Sequence, residues 1–567
     1  WQAGIEGGLA VADILCGDVN PSGKLVDTFA GSFDDYPSSA GFNESEDYVE
    51  YTEDIYVGYR YFETVPGAAQ KVNYPFGFGL SYTSFEIDDI CGQENDGQIR
   101  ISARVTNVGK VSGKEVVQLY YEAPQGKLGK PARTLGTFEK TRLLLPGESQ
   151  KVFLSLNADQ MASYDDMGKV AKSAYVCEAG EYRFHLGNSV RNTQVVPFVH
   201  VEKEDRVTVQ LQERVAPVLL KKRMLADGSY EELPVQPDTG KEMNPLFVEG
   251  KQPYKGDWRE ELALSAGEGA PEEKAMLIDV AEGRVTMDAF LAQLSCGQLI
   301  DLLCGQPNTG VANTFGMGNL PEYGIPNVMT ADGPAGVRIA PEMGVCTTAW
   351  PCATLIACTW EPSLAEQIGA AGAREMKENN LGVWLTPAMN IHRSPLCGRN
   401  FEYYSEDPLI AGRMAAAKVR GIQSEHIGAS VKHFCCNNKE TNRKESDSRV
   451  SERALREIYL KGFEIAVKEA QPWTLMTCYN LVNGQYASER KDLLEGILRE
   501  EWGFQGMVTT DWWNKAYQYK EILAGNDLKM GAGDPEQVYE ALKEGKITRE
   551  DITACAKRIL ETILKFD

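Results

Sequence analysis

The sequence has only five histidines and no C-x-x-C pair, so the Cys/His clusters that hold structural zinc or a redox disulfide are missing. No metal and no cofactor are expected. No apolar run approaches the roughly 18 residues that a membrane-spanning helix needs, which excludes a membrane protein. Basic residues are scarce, 58 Lys and Arg against 81 Asp and Glu. The net charge of -23 repels phosphate backbones and anionic lipid surfaces. Nucleic acid and membrane partners are therefore not expected, and a neutral substrate is favoured over an anionic one. An initiating Met is also lacking: the chain opens at Trp1, so any leader would be out of view.

What is present suits folded domains. Hydrophobic residues make up 43% and charged residues 25% of the chain, the proportions of a soluble globular protein. The 567 residues, at about 150 per domain, suggest three or four domains with real cores. The 13 cysteines are odd in number and include adjacent Cys435 and Cys436; they read as reduced thiols, from which a cytoplasmic location is expected. Evenly spaced Cys346, Cys352 and Cys358 read as ordinary buried cysteines.

Four textures follow one another. Residues 1–83 carry a Gly/Ala-rich helical segment, Gly8 to Leu15, and the turn signal Asn20-Pro21-Ser22-Gly23, as in part of an α/β unit. From 84 to 203 the period is two: Ile99, Ile101, Ala103, Val105; Val117, Leu119, Tyr121; Val152, Leu154, Leu156; Tyr182, Phe184, Leu186. A β-sandwich with one face of each strand buried is expected. Residues 204–274 are polar and mixed and read as a linker, with a candidate strand at Val207, Val209 and Leu211. From 275 to 567, apolar runs (Ile325 to Thr330, Val383 to Met389, Ala429 to Phe434, Thr474 to Tyr479, Met507 to Thr510) alternate with amphipathic helices. One helix carries Leu455, Ile458, Tyr459, Phe463, Ala466 and Val467 on one face. Such alternation fits a (β/α)8-type barrel or a doubly wound sheet, within an α/β multidomain chain.

Polar residues gather at the ends of these runs: Asp332; Arg393 and Arg399; Lys432 and His433; Tyr479 and Asn480; Asp511. In a barrel the C-terminal strand ends converge on one mouth, so groups far apart in sequence can surround one ligand. Asp511 ends an apolar run and precedes Trp512 and Trp513. Aromatic faces stack on the apolar faces of sugar rings, and a carboxylate beside them can attack or stabilise an oxocarbenium-like centre. Lys432, His433 and Arg399 would supply donors to hydroxyl groups.

These segments resemble glycoside hydrolase family 3, the β-glucosidase group. The resemblance is carried by Asp332-Gly333-Pro334-Ala335-Gly336-Val337-Arg338, Gly398-Arg399-Asn400-Phe401-Glu402 with Glu406-Asp407-Pro408, Lys432-His433-Phe434 with Glu440 and Arg443, Met476 through Tyr479-Asn480, Val482-Asn483-Gly484, and Trp502-Gly503-Phe504 leading to Asp511-Trp512. It implies a barrel whose Asp511 is the nucleophile, with Asp332, Arg399, Lys432, His433, Arg443, Met476, Tyr479 and Trp512 lining the glycone subsite. Trp1 to Gly8, Gly17 to Lys24, Val57 to Tyr61 and Tyr74 to Tyr82 are similar to the end of the family's α/β sandwich domain, and 84–203 to its fibronectin type III domain. The barrel usually precedes both, so the chain resembles the circularly permuted subset of bacterial members.

The implied activity is hydrolysis of terminal β-D-glucosyl residues from oligosaccharides or aryl and alkyl glucosides. Cys435-Cys436-Asn437 after Phe434 disfavours the β-N-acetylglucosaminidase branch, and Trp512 favours glucose over the pentoses of the β-xylosidase branch. The family's acid/base glutamate lies upstream of the stretch that here begins at Trp1. Its source would be a segment before Trp1, or else a substitute among Glu44, Glu46, Glu50 and Glu53. A catalytically silent sugar-binding subunit or fragment is the rival reading. A β-glucoside or gluco-oligosaccharide is the expected partner, with a homo-oligomer or a preceding N-terminal segment left open.

Overall fold

The computed structural model describes residues 1–235, 244 and 269–566. Period-two alternation becomes two antiparallel sheets between Phe85 and Glu202. Phe85–Asn95, Gln98–Asn107 and Ser149–Asn157 form one; Thr193–Glu202, Gly180–Gly187, Val116–Glu122 and Thr134–Lys140 form the other. Ile99, Ile101, Ala103, Val105, Leu154 and Phe184 fill the space between them. The expectation of one buried face per strand fails at Val116–Glu122. Val117 and Leu119 face the sandwich core, while Val116 and Tyr120 enter a larger core shared with the C-terminal half. A strand packed on both sides buries both faces, and its alternation disappears.

In the C-terminal half, Ile325–Ala331, Val383–Trp384, Gly428–Phe434, Thr474–Thr477 and Met507–Thr509 lie side by side and parallel. Gly316–Leu320 runs antiparallel to Ile325–Ala331. Parallel bridges Thr509–Leu528 and Cys304–Lys529, with the antiparallel bridge Gln306–Gly316, close the ring. The barrel thus has one reversed strand, which strict β/α alternation does not anticipate. The helical stretch Glu452–Ala470, widened to a π turn over Leu455–Tyr459, lays Leu455, Ile458, Phe463 and Val467 into the core.

Residues 1–82 are woven into this barrel. Helix Gly7–Cys16 ends at Gly17, whose φ of 84° suits glycine. Tyr48–Glu50 pairs in parallel with Asp447–Arg449, which pairs with Leu481–Val482. Buried ion pairs fasten the contact: Arg393 grips Glu53 at 2.5 and 2.9 Å, and Arg60 meets Asp407 at 2.9 Å. Within 204–235, Arg206–Gln210 pairs with Ala174–Cys177, and Lys222–Met224 pairs with Tyr230–Glu232. The rest of the stretch read as a linker includes 236–243 and 245–268, which lie outside the described residues. Among the described residues no helix is long and apolar enough to cross a membrane. All 13 cysteines are free.

Candidate active site

The parallel strands end around a cavity of about 820 Å3. Gly428–Phe434 is buried along its whole length, so its two polar residues near the mouth, Lys432 and His433, must find partners there. Lys432 Nζ donates to Asp332 Oδ1 at 2.7 Å. Asp332 follows the strand Ile325–Ala331, and Arg338 Nη1 stands 3.1 Å from its other oxygen. Burial would raise the Asp332 carboxyl, but Lys432 and Arg338 outweigh it and hold the group well below the usual carboxylate range. The turn behind it needs glycine: Gly333 has φ of 104°, and a Cβ there would sit 1.9 Å from the Gly336 carbonyl. Trp384 Nε1 and Lys418 Nζ donate to the carbonyls of Gly333 and Pro334 at 3.0 and 2.8 Å, pinning the same turn from beneath.

His433 is held through its backbone by both ends of the Asn390 amide at 2.8 Å. Burial, reinforced by Arg399, Lys432 and Arg443, drives its imidazole well below the ordinary histidine value, so it is neutral. Its Nδ1 lies 3.3 Å from the Tyr403 hydroxyl and its Nε2 3.7 Å from Asp511 Oδ2. If the Tyr403 hydroxyl donates to Nδ1, the proton sits on Nε2 and faces Asp511.

Asp511 leaves the strand Met507–Thr509. Its Oδ1 accepts the Trp512 backbone N–H at 2.8 Å, while Oδ2 has no hydrogen-bond partner among the described residues. Burial raises this carboxyl; Arg399, Lys432, the Trp512 N–H and the nearby Tyr479 hydroxyl pull the other way. Arg399 also pairs with Glu402, and Arg443 pairs with Glu440 at 2.9 Å while lying over the Tyr479 ring at 4.6 Å. The structure therefore brings all nine residues expected at the site, Asp332, Arg399, Lys432, His433, Arg443, Met476, Tyr479, Asp511 and Trp512, to the wall of one cavity.

Two strand-end residues do not arrive there. Arg393 turns away to Glu53, and Asn480 donates to the Leu481 carbonyl at 3.0 Å. Sequence reasoning missed Asn313, Thr314, Phe315 and Thr347 to Ala349, which also line the cavity. Phe315 meets Trp513 edge to face at 5.8 Å. No periodic signal marks these residues, because they lie in irregular loops outside the strands and helices. Glu44, Glu46, Glu50 and Glu53 do not line the cavity; Glu50 pairs with Arg449, and Glu53 with Arg393.

Comparison with known proteins gives three matches along the chain. Residues 1–82 match the Glycosyl hydrolase family 3 C-terminal domain, 115–190 a Fibronectin type III-like domain, and 316–562 the Glycosyl hydrolase family 3 N terminal domain. The domain named for the C-terminus thus comes first, a permuted order. The chain is 57% identical to Beta-glucosidase A of Butyrivibrio fibrisolvens, over 97% of this chain and 69% of that protein. It is 42% identical to a Ruminococcus albus beta-glucosidase, over 100% of this chain and 60% of that protein. The solved beta-glucosidase of Paenibacillus barengoltzii superposes with a TM-score of 0.90 at 42% identity, over 100% of this chain and 64% of that one. The chain accordingly spans about two thirds of the length of these relatives.

Proposed function

Because the chain belongs to glycoside hydrolase family 3, we propose that it acts as a retaining β-glucosidase on terminal non-reducing β-D-glucosyl residues. The observation that carries this is Asp511: one carboxylate oxygen is fixed by a backbone N–H, and the other, with no hydrogen-bond partner of its own among the described residues, lies 3.7 Å from His433 Nε2 on a cavity lined by donors. A sugar's hydroxyls must exchange water for protein partners or bind weakly. Lys432, Asp332, Arg399 and the neutral His433 are the partners on offer, and Trp512 offers an apolar face. Asp511 Oδ2 attacks the anomeric carbon as the bond to the aglycone oxygen breaks, and the leaving oxygen takes a proton. Water then releases the sugar from Asp511 with retained configuration. A 2-fluoro glucoside should label Asp511; labelling of another residue, or an inverted product anomer, overturns the assignment.

The second carboxyl of a retaining pair stands about 5 to 5.5 Å from the first. The other cavity carboxyls, Asp332, Glu402 and Glu440, are each held by a cation. That supports a general acid outside the described cavity wall, and it is also what favours the silent sugar-binding reading. An aryl glucoside with a good leaving group needs little acid assistance, so turnover of it but not of cellobiose supports the first reading. Glucose binding with no turnover of either supports the second. Trp512 beside Asp511 favours glucose over xylose, and the 13 free thiols favour a cytoplasmic site. We divide the chain into 1–83, 84–203, 204–274 and 275–567.

A further inference from the structure

The turn that presents Arg399 is fastened from residues 1–82. His392 Nδ1 lies 2.7 Å from Asp27 Oδ1, and its Nε2 lies 2.8 Å from the carbonyl of Asn400, the residue after Arg399. Both neighbours are acceptors, a carboxylate and a carbonyl. A neutral imidazole has one N–H and could serve only one of them, while an imidazolium serves both. His392 is 7% exposed at its side chain, so water does not take the place of a lost partner.

The link continues into the site. The Asn400 carbonyl also accepts Thr354 Oγ1 at 3.0 Å, and Asn400 opens the short helical turn ending at Glu402, the carboxylate that pairs with Arg399. Resting on the glycone subsite proposed above, we propose that His392 is a positioning residue: clamped as a cation between Asp27 and the Asn400 carbonyl, it fixes the turn that aims Arg399 at the sugar.

The surrounding charges agree. Burial works against the cation, but Asp27, the Asn400 carbonyl and the more distant Glu406 raise the imidazole above its ordinary value. Glu406, pushed up by burial and by Asp27, is itself held by the Thr28 N–H and hydroxyl and by the Tyr59 N–H at 2.7 to 2.8 Å. Tyr36 and Cys358 also feel Asp27, and burial raises both, keeping them neutral. Neighbouring Arg393 is engaged with Glu53. Because the His392 value is raised on folding, the double clamp is complete in acid and is lost as pH rises through that raised value.

Glucose binding measured by calorimetry on the full chain tests this. His392→Ala should weaken the glucose Kd about tenfold, as expected when a hydrogen bond to a charged group is lost, and His392→Gln, whose amide nitrogen can donate to one of the two acceptors while its oxygen cannot donate to the other, should recover part of the loss. Asp27→Asn keeps an acceptor but removes the charge, so its affinity should fall away at a lower pH than that of the wild type. Variants that melt earlier yet bind glucose with unchanged Kd and unchanged pH dependence would show that the clamp is only structural, and the proposal fails while the subsite stands. If Asp27→Asn alone folds well, its pH profile decides by itself. Failure of the wild type to bind glucose removes the subsite and this proposal together.

Discussion

Replacing Lys432 by Met separates two consequences that only the tertiary arrangement connects. The Lys432 side chain is 3% exposed and sits 2.7 Å from Asp332, whose side chain is 28% exposed. Removing one member of a buried ion pair costs about 3 to 5 kcal/mol. Asp332 keeps some water and the Arg338 guanidinium at 3.1 Å, so a smaller loss applies, about 2 to 3 kcal/mol at neutral pH. The Asp332 carboxyl is held below its unfolded value, so the pair stabilises above the unfolded carboxylate value of about 4 and stops doing so as pH falls through the lower folded value. The gap in melting temperature between wild type and Lys432→Met should therefore be widest near neutral pH and narrow in strong acid. Lys432 also pulls the Asp511 carboxyl down against burial. Its removal should move the acid limb of aryl glucoside turnover to higher pH, since Asp511 must be ionised to attack. Differential scanning fluorimetry across pH and a kcat/KM profile measure the two effects. A melting gap that does not change with pH, together with an unmoved acid limb, would refute the account of both carboxyls.

Asp511→Ala should lower turnover by several orders of magnitude while glucose binding persists, because the neighbouring donors remain in place; calorimetry beside an activity assay checks it. Glu53→Ala leaves Arg393 buried without its carboxylate and should destabilise by about 3 to 5 kcal/mol, read as an early melting transition. Lys418 is buried on a carbonyl, with burial and Lys432 pushing its amine down to about 7. Its folded value is depressed, so its burial penalty is greatest at and below that value and fades as pH rises. The melting temperature of Lys418→Met relative to wild type should accordingly be more favourable near pH 6 than near pH 10, with scanning fluorimetry as the readout.

Local pattern alone determined much of this protein. Alternation at Ile99 to Val105 and Tyr182 to Leu186 is a property of neighbouring residues, so the sandwich strands can be read without knowing their partners. The apolar runs ending in Asp332, Lys432, Tyr479 and Asp511 are legible for the same reason, because parallel strands bring like ends together whatever their separation in sequence.

Tertiary structure decided what depends on distant partners. Arg393 and Arg399 follow the same apolar run, yet one is drawn 340 residues back along the chain to Glu53 and the other enters the cavity. The reversed strand Gly316–Leu320 and the single bridges at Gln306 and Leu528 that close the barrel are too short for a periodic signature. Tyr48–Glu50 becomes a strand only because Asp447–Arg449 offers it an edge. The clamp on Asn400 joins Asp27 to His392, 365 residues apart. A short polar segment encodes no partner of its own; burial against particular donors and acceptors, whose desolvation must be compensated, selects the partner, and that selection exists only once the chain has folded.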